Sequence, residues 1–228
     1  VSSPRPAAGV GPVRRRVLAD HVFDQLLTML LDGSLPAGSN LNIDGLARQL
    51  DVSPTPVREA LARLEATGMV RRVALRGYSV APEPTVKELA DLMDARLAVE
   101  PVNAWYACQR GGPEFLAALE QAVADLEAAP NGPTYQDFRD YWAADERFHE
   151  LVAEAADNGY LHAAYAALGG LLQRFRQFSG RGVTDKEVAV REHRAVLDAL
   201  RSGDADLARK LMAEHIEGVK SRALAERA

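Results

Sequence analysis

Residues 52–61 read Val52-Ser53-Pro54-Thr55-Pro56-Val57-Arg58-Glu59-Ala60-Leu61. Ser53 is a residue type that caps a helix start, and Pro54 and Pro56 fall in the first turn, where a missing N–H is tolerated. Val57, Leu61 and Leu64 then recur at helical spacing until Gly68 stops the run. The opposite face carries Thr55, Arg58 and Ala62. Upstream, the spacing predicts helices over about Asp20–Leu31, ended by Gly33 and Pro36, and over Ile43–Leu50, capped by Asn42. The turn Asp51-Val52-Ser53 joins the second helix to the third. Downstream, Met69–Val73 and Tyr78–Ala81 are short β-branched segments separated by Leu75-Arg76-Gly77, the pattern of a hairpin. Three helices followed by a hairpin is the layout of a winged helix-turn-helix, which offers the N-terminal end of its third helix to the major groove.

That head is expected over residues 18–82, behind a flexible tail at 1–17 rich in Pro, Gly, Ser and Ala. Seven residues are candidates for DNA contact: Ser53, Thr55, Arg58, Arg63, Arg76, Gly77 and Tyr78. A guanidinium at Arg58 can reach guanine or a phosphate, and a hydroxyl at Thr55 a phosphate or base edge. The alternative for Arg58 is a surface pair with Glu59 or Glu65. Gly77 and its neighbours form the wing tip, which can enter the minor groove or press on the backbone.

The other 146 residues, 83–228, are helical throughout by pattern. Helices are expected near 85–109, 113–128, 134–156, 158–178, 185–201 and 204–225, with Thr184 and Asp204 as caps. Short turns between long amphipathic helices imply an all-α antiparallel bundle. The fold class is therefore mainly α, with a small β wing on the head.

Charge divides along the same boundary. The chain of 228 residues has a formal net charge of −5, made of +3 over residues 1–82 and −8 over 83–228. A basic head on an acidic body can dock on phosphate at one end only. No apolar run approaches the ~20 residues that span a bilayer. Cys108 is the sole cysteine, which excludes an intrachain disulfide and a cysteine-based zinc site. A cytoplasmic protein without a membrane partner is the simplest expectation.

Histidines carry the chemistry of the body. Phe138, Trp142, Asp145, His149 and Val152 advance by helical steps along one face. His193 shares a face with Val190, Val196, Leu197 and Leu200, and His215 follows Leu211 by one turn. Imidazoles and a carboxylate on apolar stripes are costly to bury unless something pairs them. A divalent metal held by Asp145, His149, His193 and His215 would pair all four. Hydrogen bonds to carbonyls and a plain Asp145–His149 ion pair are the alternative. His21 is expected to be exposed and His162 lies one residue off its stripe, so neither is a ligand candidate. Arg96, among Leu92, Met93 and Val99, is expected to face the bundle interior, where it would clamp a carboxylate ligand or pair with Glu100. Arg174 and Arg176 have no face that decides their role.

The head closely resembles the DNA-binding domain of GntR-family bacterial transcription regulators. The resemblance rests on Gly33-Ser34-Leu35-Pro36-Ala37-Gly38-Ser39-Asn40-Leu41, Leu46-Ala47, residues 52–61, and Leu64, Gly68 and Arg76-Gly77-Tyr78-Ser79-Val80. Pro54 departs from it, standing where the family usually has a DNA-contacting Arg. The body resembles the FCD effector domain of the FadR-like subfamily, through Arg96-Leu97-Ala98-Val99-Glu100-Pro101, Asp145-Glu146-Arg147-Phe148-His149, Asp157-Asn158, Glu192-His193-Arg194-Ala195-Val196 and Glu214-His215-Ile216. The resemblance implies a homodimeric, ligand-responsive repressor that binds operator DNA. It also implies metal binding at Asp145, His149, His193 and His215, with zinc, nickel or manganese as the ion. A small carboxylate effector would complete the site, with Arg96 contacting it. Two other readings stand beside it: a helical metal-dependent hydrolase on the same four residues, and a metal-free regulator that senses an acyl ligand.

Overall fold

A computed structural model describes residues 12–74, 77–132, 134–175 and 183–227, without the side chains of 12–17 and Gln173. The chain divides into two compact units, one ending at Glu83 and the other beginning at Pro84.

In the head, α1 (Pro12–Leu31) precedes β1 (Asn40–Leu41), α2 (Ile43–Gln49), α3 (Pro54–Ala66), β2 (Val70–Val73) and β3 (Gly77–Val80). The helix α1 starts at Pro12, within the stretch expected as a tail over 1–17. Proline at a first helical position loses no bond, and Val13 to Ala19 contain no helix breaker. The hairpin is also larger than expected. Asn40–Leu41 adds a third antiparallel strand, in the order β1-β3-β2, with Leu41 opposite Tyr78. Two residues show no period of 2, so sequence pattern gives such a strand no signal. Asn42 caps α2 as expected, its side chain accepting Gly45 N–H at 2.8 Å. Ser53 occupies the N-cap of α3 but makes no side-chain cap bond. Val57, Leu61 and Leu64 are fully buried against Val22, Leu26 and Leu30 of α1.

The body comprises α4 (Val86–Arg110), α5 (Pro113–Ala128), α6 (Tyr135–Ala155), α7 (Gly159–Leu172), α8 (Lys186–Ser202) and α9 (Ala205–Ala225). A 3-10 turn, Gln173–Phe175, ends α7. Capping boxes start two helices: Thr85 with Glu88 for α4 and Thr134 with Asp137 for α6. Gly203, in the left-handed region at φ 74°, ends α8. Asp204 caps α9 as expected. Thr184 does not cap α8; Asp185 takes that position, and the Thr184 hydroxyl donates to Glu226 Oε1 at 2.8 Å. Helix α4 packs on α6, α7 and α9, while α8 packs on α5 and α9. Between them Phe148, Val196, Leu197, Met212 and Ile216 form the core. The whole is mainly α with one small antiparallel sheet, as the pattern predicts.

Candidate functional site

Helical period decides which side chains enter the body's interior. Asp145 and His149 lie one turn apart on the buried face of α6, His193 on that of α8 and His215 on that of α9. Arg96 and Glu100 occupy the same register on α4. Among the described residues, these six are the buried charged or imidazole side chains, and they form one cluster.

The three imidazoles each offer a nitrogen within 4.8 Å of the others. Their outer nitrogens are engaged. His193 Nδ1 donates to the Ala189 carbonyl at 2.7 Å, and His215 Nδ1 to Glu192 Oε2 at 2.8 Å. His149 Nδ1 lies 2.6 Å from Glu100 Oε2, at ion-pair distance though not aligned as an ideal hydrogen bond. With Nδ1 protonated, a neutral ring presents a bare lone pair at Nε2. The Nε2 atoms of His149 and His193 face each other at 3.3 Å. Asp145 Oδ1 stands 3.4 Å from His193 Nε2 and 4.0 Å from His149 Nε2. Two nitrogens about 2.0–2.1 Å from one tetrahedral ion are themselves about 3.3 Å apart, so the donor set fits a divalent cation. Carboxylates behind the ligating imidazoles are the usual outer partners of such an ion.

Electrostatics keep the donors ready. Burial first, and the neighbouring His215 second, lower the His193 imidazole from 6.5 to about 3. Burial also lowers His215, against the pull of Glu192. Burial would raise Glu192, but hydrogen bonds from His215 and Arg222 outweigh it and hold its carboxyl at about 2. Glu100 likewise stays well below the carboxylate range, because Arg96 and His149 outweigh its burial.

This produces an expected acid sensitivity. In metal-free protein His193 stays neutral when folded but takes a proton in the unfolded chain below its ordinary value of 6.5. The unfolded state then binds more protons, so stability is complete above about pH 6.5 and is lost as pH falls toward 3. At pH 5 His193 alone costs about 2 kcal/mol, or roughly 4–8 °C in thermal midpoint. Thermal unfolding of chelator-treated protein at pH 7.5 and pH 5 checks this; an unchanged midpoint contradicts it.

Arg96 is buried beside the cluster, but its Nε and Nη2 already hold Glu100, the latter at 3.3 Å to Oε2. Nη1 is turned to the Met93 thioether at 3.8 Å. The bidentate grip expected for a ligand carboxylate is thus spent on Glu100.

In the head, Ser53, Thr55, Arg58 and Gly77 are exposed. Arg58 lines one cleft with Asn40, Asn42 and Gly77 and another with Arg72 and Ala62. Among the described residues Arg58 makes no ion pair, so neither Glu59 nor Glu65 holds it. Two further candidates have partners within the head. Tyr78 is buried in the head core, and its hydroxyl accepts from Arg72 Nη2 at 2.8 Å across the hairpin. Arg63 pairs with Asp20 at 2.7 Å and stacks 4.2 Å over Phe23, so it secures α1. Arg76 and Arg176 lie outside the described residues.

Two family descriptions match the chain: "FCD domain" over residues 91–218 and "Bacterial regulatory proteins, gntR family" over residues 18–80. The chain is a GntR-family transcription regulator with an FCD domain. It is 30% identical over 230 residues to an Escherichia coli K12 protein named "Putative L-lactate dehydrogenase operon regulatory protein", covering 90% of this chain and 85% of that one. It is 29% identical to the "Probable D-xylose utilization operon transcriptional repressor" of Paenarthrobacter nicotinovorans, covering 89% and 87%. The solved structure titled "E. coli McbR/YncC" shares the fold at a TM-score of 0.75 and 20% identity, covering 92% of this chain and 99% of that one. The hydrolase alternative falls, since the family and these relatives are regulators rather than enzymes.

Within the regulator, His162 lies apart from the cluster and pairs with Glu150 at 2.7 Å, and His21 is exposed. Arg174 stands 3.6 Å from Glu88. Among the described residues no helix is long and apolar enough to cross a membrane. Two residues of the site escaped sequence reading, Glu192 and Arg222, while Glu100 was foreseen as a partner of Arg96 but not as the neighbour of His149. Glu192 was visible only as a neighbour within a quoted motif, and Arg222 only as a cation seven residues after His215.

Proposed function

We propose that this GntR-family regulator is a dimeric, cytoplasmic repressor whose hold on operator DNA is released by a small carboxylate bound at a metal centre in the FCD domain. The observation that carries the metal centre is the approach of His149 Nε2 and His193 Nε2 to 3.3 Å in a buried site that His215 also enters. Burial opposes protonation of the His193 ring, so a cation is the partner that suits the facing pair. His149, His193, His215 and Asp145 would hold the ion, and three imidazoles favour zinc, nickel or manganese over magnesium. A bound ion of this kind supplies positive charge and an open position for a carboxylate oxygen. Arg96 would add one hydrogen bond through Nη1 rather than a two-point clamp. Because Arg96 also holds Glu100, which stands against His149, Arg96→Ala should weaken the metal as well as the effector. A centre lined by four such donors does not suit an acyl chain, which argues against the metal-free acyl sensor.

On the DNA side, Ser53, Thr55 and Arg58 are the groove-facing candidates, with Gly77 and Arg76 at the wing. A repressor role is supported by the relative named as one, and a dimer by the need to span two half-sites about one helical turn apart. Selection of binding sequences from random duplex DNA at moderate salt tests this; failure to enrich any sequence contradicts it. On the enriched site, Arg58→Ala is expected to cost about 1–3 kcal/mol and to relax base preference at one position. Uniform loss on all sequences would make Arg58 a phosphate contact instead.

A further inference from the structure

His215, Gly218 and Arg222 follow one another on α9 at intervals of three and four residues, so they share a face. Glu192 stands opposite them on α8. Its Oε2 accepts from His215 Nδ1 at 2.8 Å. The same carboxylate accepts from Arg222 Nη1 at 2.9 Å and from Nη2 at 3.0 Å, one bond to each oxygen. Arg222 Nε donates to Asp185 Oδ2 at 2.7 Å. The guanidinium is therefore fixed along both edges, and it in turn fixes the carboxylate that holds His215.

Gly218 is the unexpected member. It lies inside a 21-residue helix, where glycine is the poorest residue after proline. Its backbone is not left-handed, so conformation does not call for glycine. A Cβ at this position would lie 2.9 Å from Arg222 Nη1 and 3.0 Å from Glu192 Oε1, inside the ion pair itself. Both of those atoms end flexible side chains. An added methyl group would push the pair apart rather than break the helix.

We propose that Glu192, Arg222 and Gly218 form a positioning relay for the metal centre: Glu192 orients the His215 ring, Arg222 locks Glu192, and Gly218 leaves room for their contact. The inference rests on the metal reading of the His149–His193–His215 cluster. Fixing the proton on Nδ1 leaves the Nε2 lone pair of His215 directed at the site. Without the relay, the ring is free to rotate and to carry its proton on either nitrogen.

The test uses the full-length protein stripped of metal and titrated with zinc against a competing chelator. Arg222→Met and Gly218→Ala are each expected to weaken zinc binding about 10–100-fold, with Arg222→Lys recovering part of the loss. Gly218→Ala separates positioning from folding, because alanine favours the helix. Its metal-free thermal midpoint should hold or rise while zinc affinity falls. Wild-type affinity in both Arg222→Met and Gly218→Ala would overturn the relay. So would a loss of affinity matched by an equal loss of metal-free stability. Nitrogen-15 spectra of the metal-free imidazoles supply a second readout. His215 should be protonated at Nδ1 in the wild type and should mix tautomers in Arg222→Met. If wild type binds none of zinc, nickel and manganese, the metal reading fails by itself and the tautomers decide the relay. An identical Nδ1–H form in both proteins would then overturn it.

Discussion

His193→Ala is expected to lower divalent-metal affinity by more than the 10–100-fold that loss of an outer partner typically costs. His193 is fully buried at the centre of the cluster. Its Nε2 lies 3.3 Å from His149 Nε2 and 3.4 Å from Asp145 Oδ1, so its removal takes away the donor that both of the others approach. The vacated volume lies against Phe148 and offers no replacement donor. Calorimetric titration of metal-free protein with zinc and with nickel checks this. Full affinity in the variant would remove His193 from the site.

Phe148→Ala should be the most destabilising of the substitutions considered. The ring is fully buried and packs edge-on against His193 at 4.4 Å and His149 at 5.5 Å between centroids. Removing a ring of this size from a packed core costs about 3–5 kcal/mol, through lost burial and the void that remains. The expected fall in thermal midpoint is roughly 10 °C or more. The same void lets both imidazoles tilt, so metal affinity should fall with stability. Urea unfolding of metal-free protein gives the stability difference. A cost below about 1 kcal/mol would mean that the site collapses without strain.

The head and the ligand helices were legible because their information is local. Ser53-Pro54 marks a helix start, and Val57, Leu61 and Leu64 mark the buried stripe. Asp145 and His149 lie one turn apart, which places both on one face whatever that face meets. What sequence could not supply was the distant partner. Arg63 reads as an exposed cation on α3, and its contacts with Asp20 and Phe23 of α1 have no local signal. Tyr78 looks like a wing-tip residue until the added strand Asn40–Leu41 pairs beside it and the ring turns into the core. Thr184 and Asp185 are equally good caps by type, but neither caps α8 through its side chain, because Glu226 and Arg222 of α9 engage them instead. Arg96 shows the limit most clearly. Its place on the buried face of α4 follows from helical period. Its commitment to Glu100 depends on burial strong enough to hold the i,i+4 pair together.

The regulator is expected to be two-fold, with one metal ion per chain at the three imidazoles. Native mass spectrometry of protein purified without chelator and supplied with zinc at neutral pH tests it most directly. The expected species has the mass of two 24.7 kDa chains plus two ions, and it loses both ions in His193→Ala. A single-chain species would contradict the dimer. A dimer that carries no ion, or a His193→Ala dimer that keeps two, would contradict the metal centre.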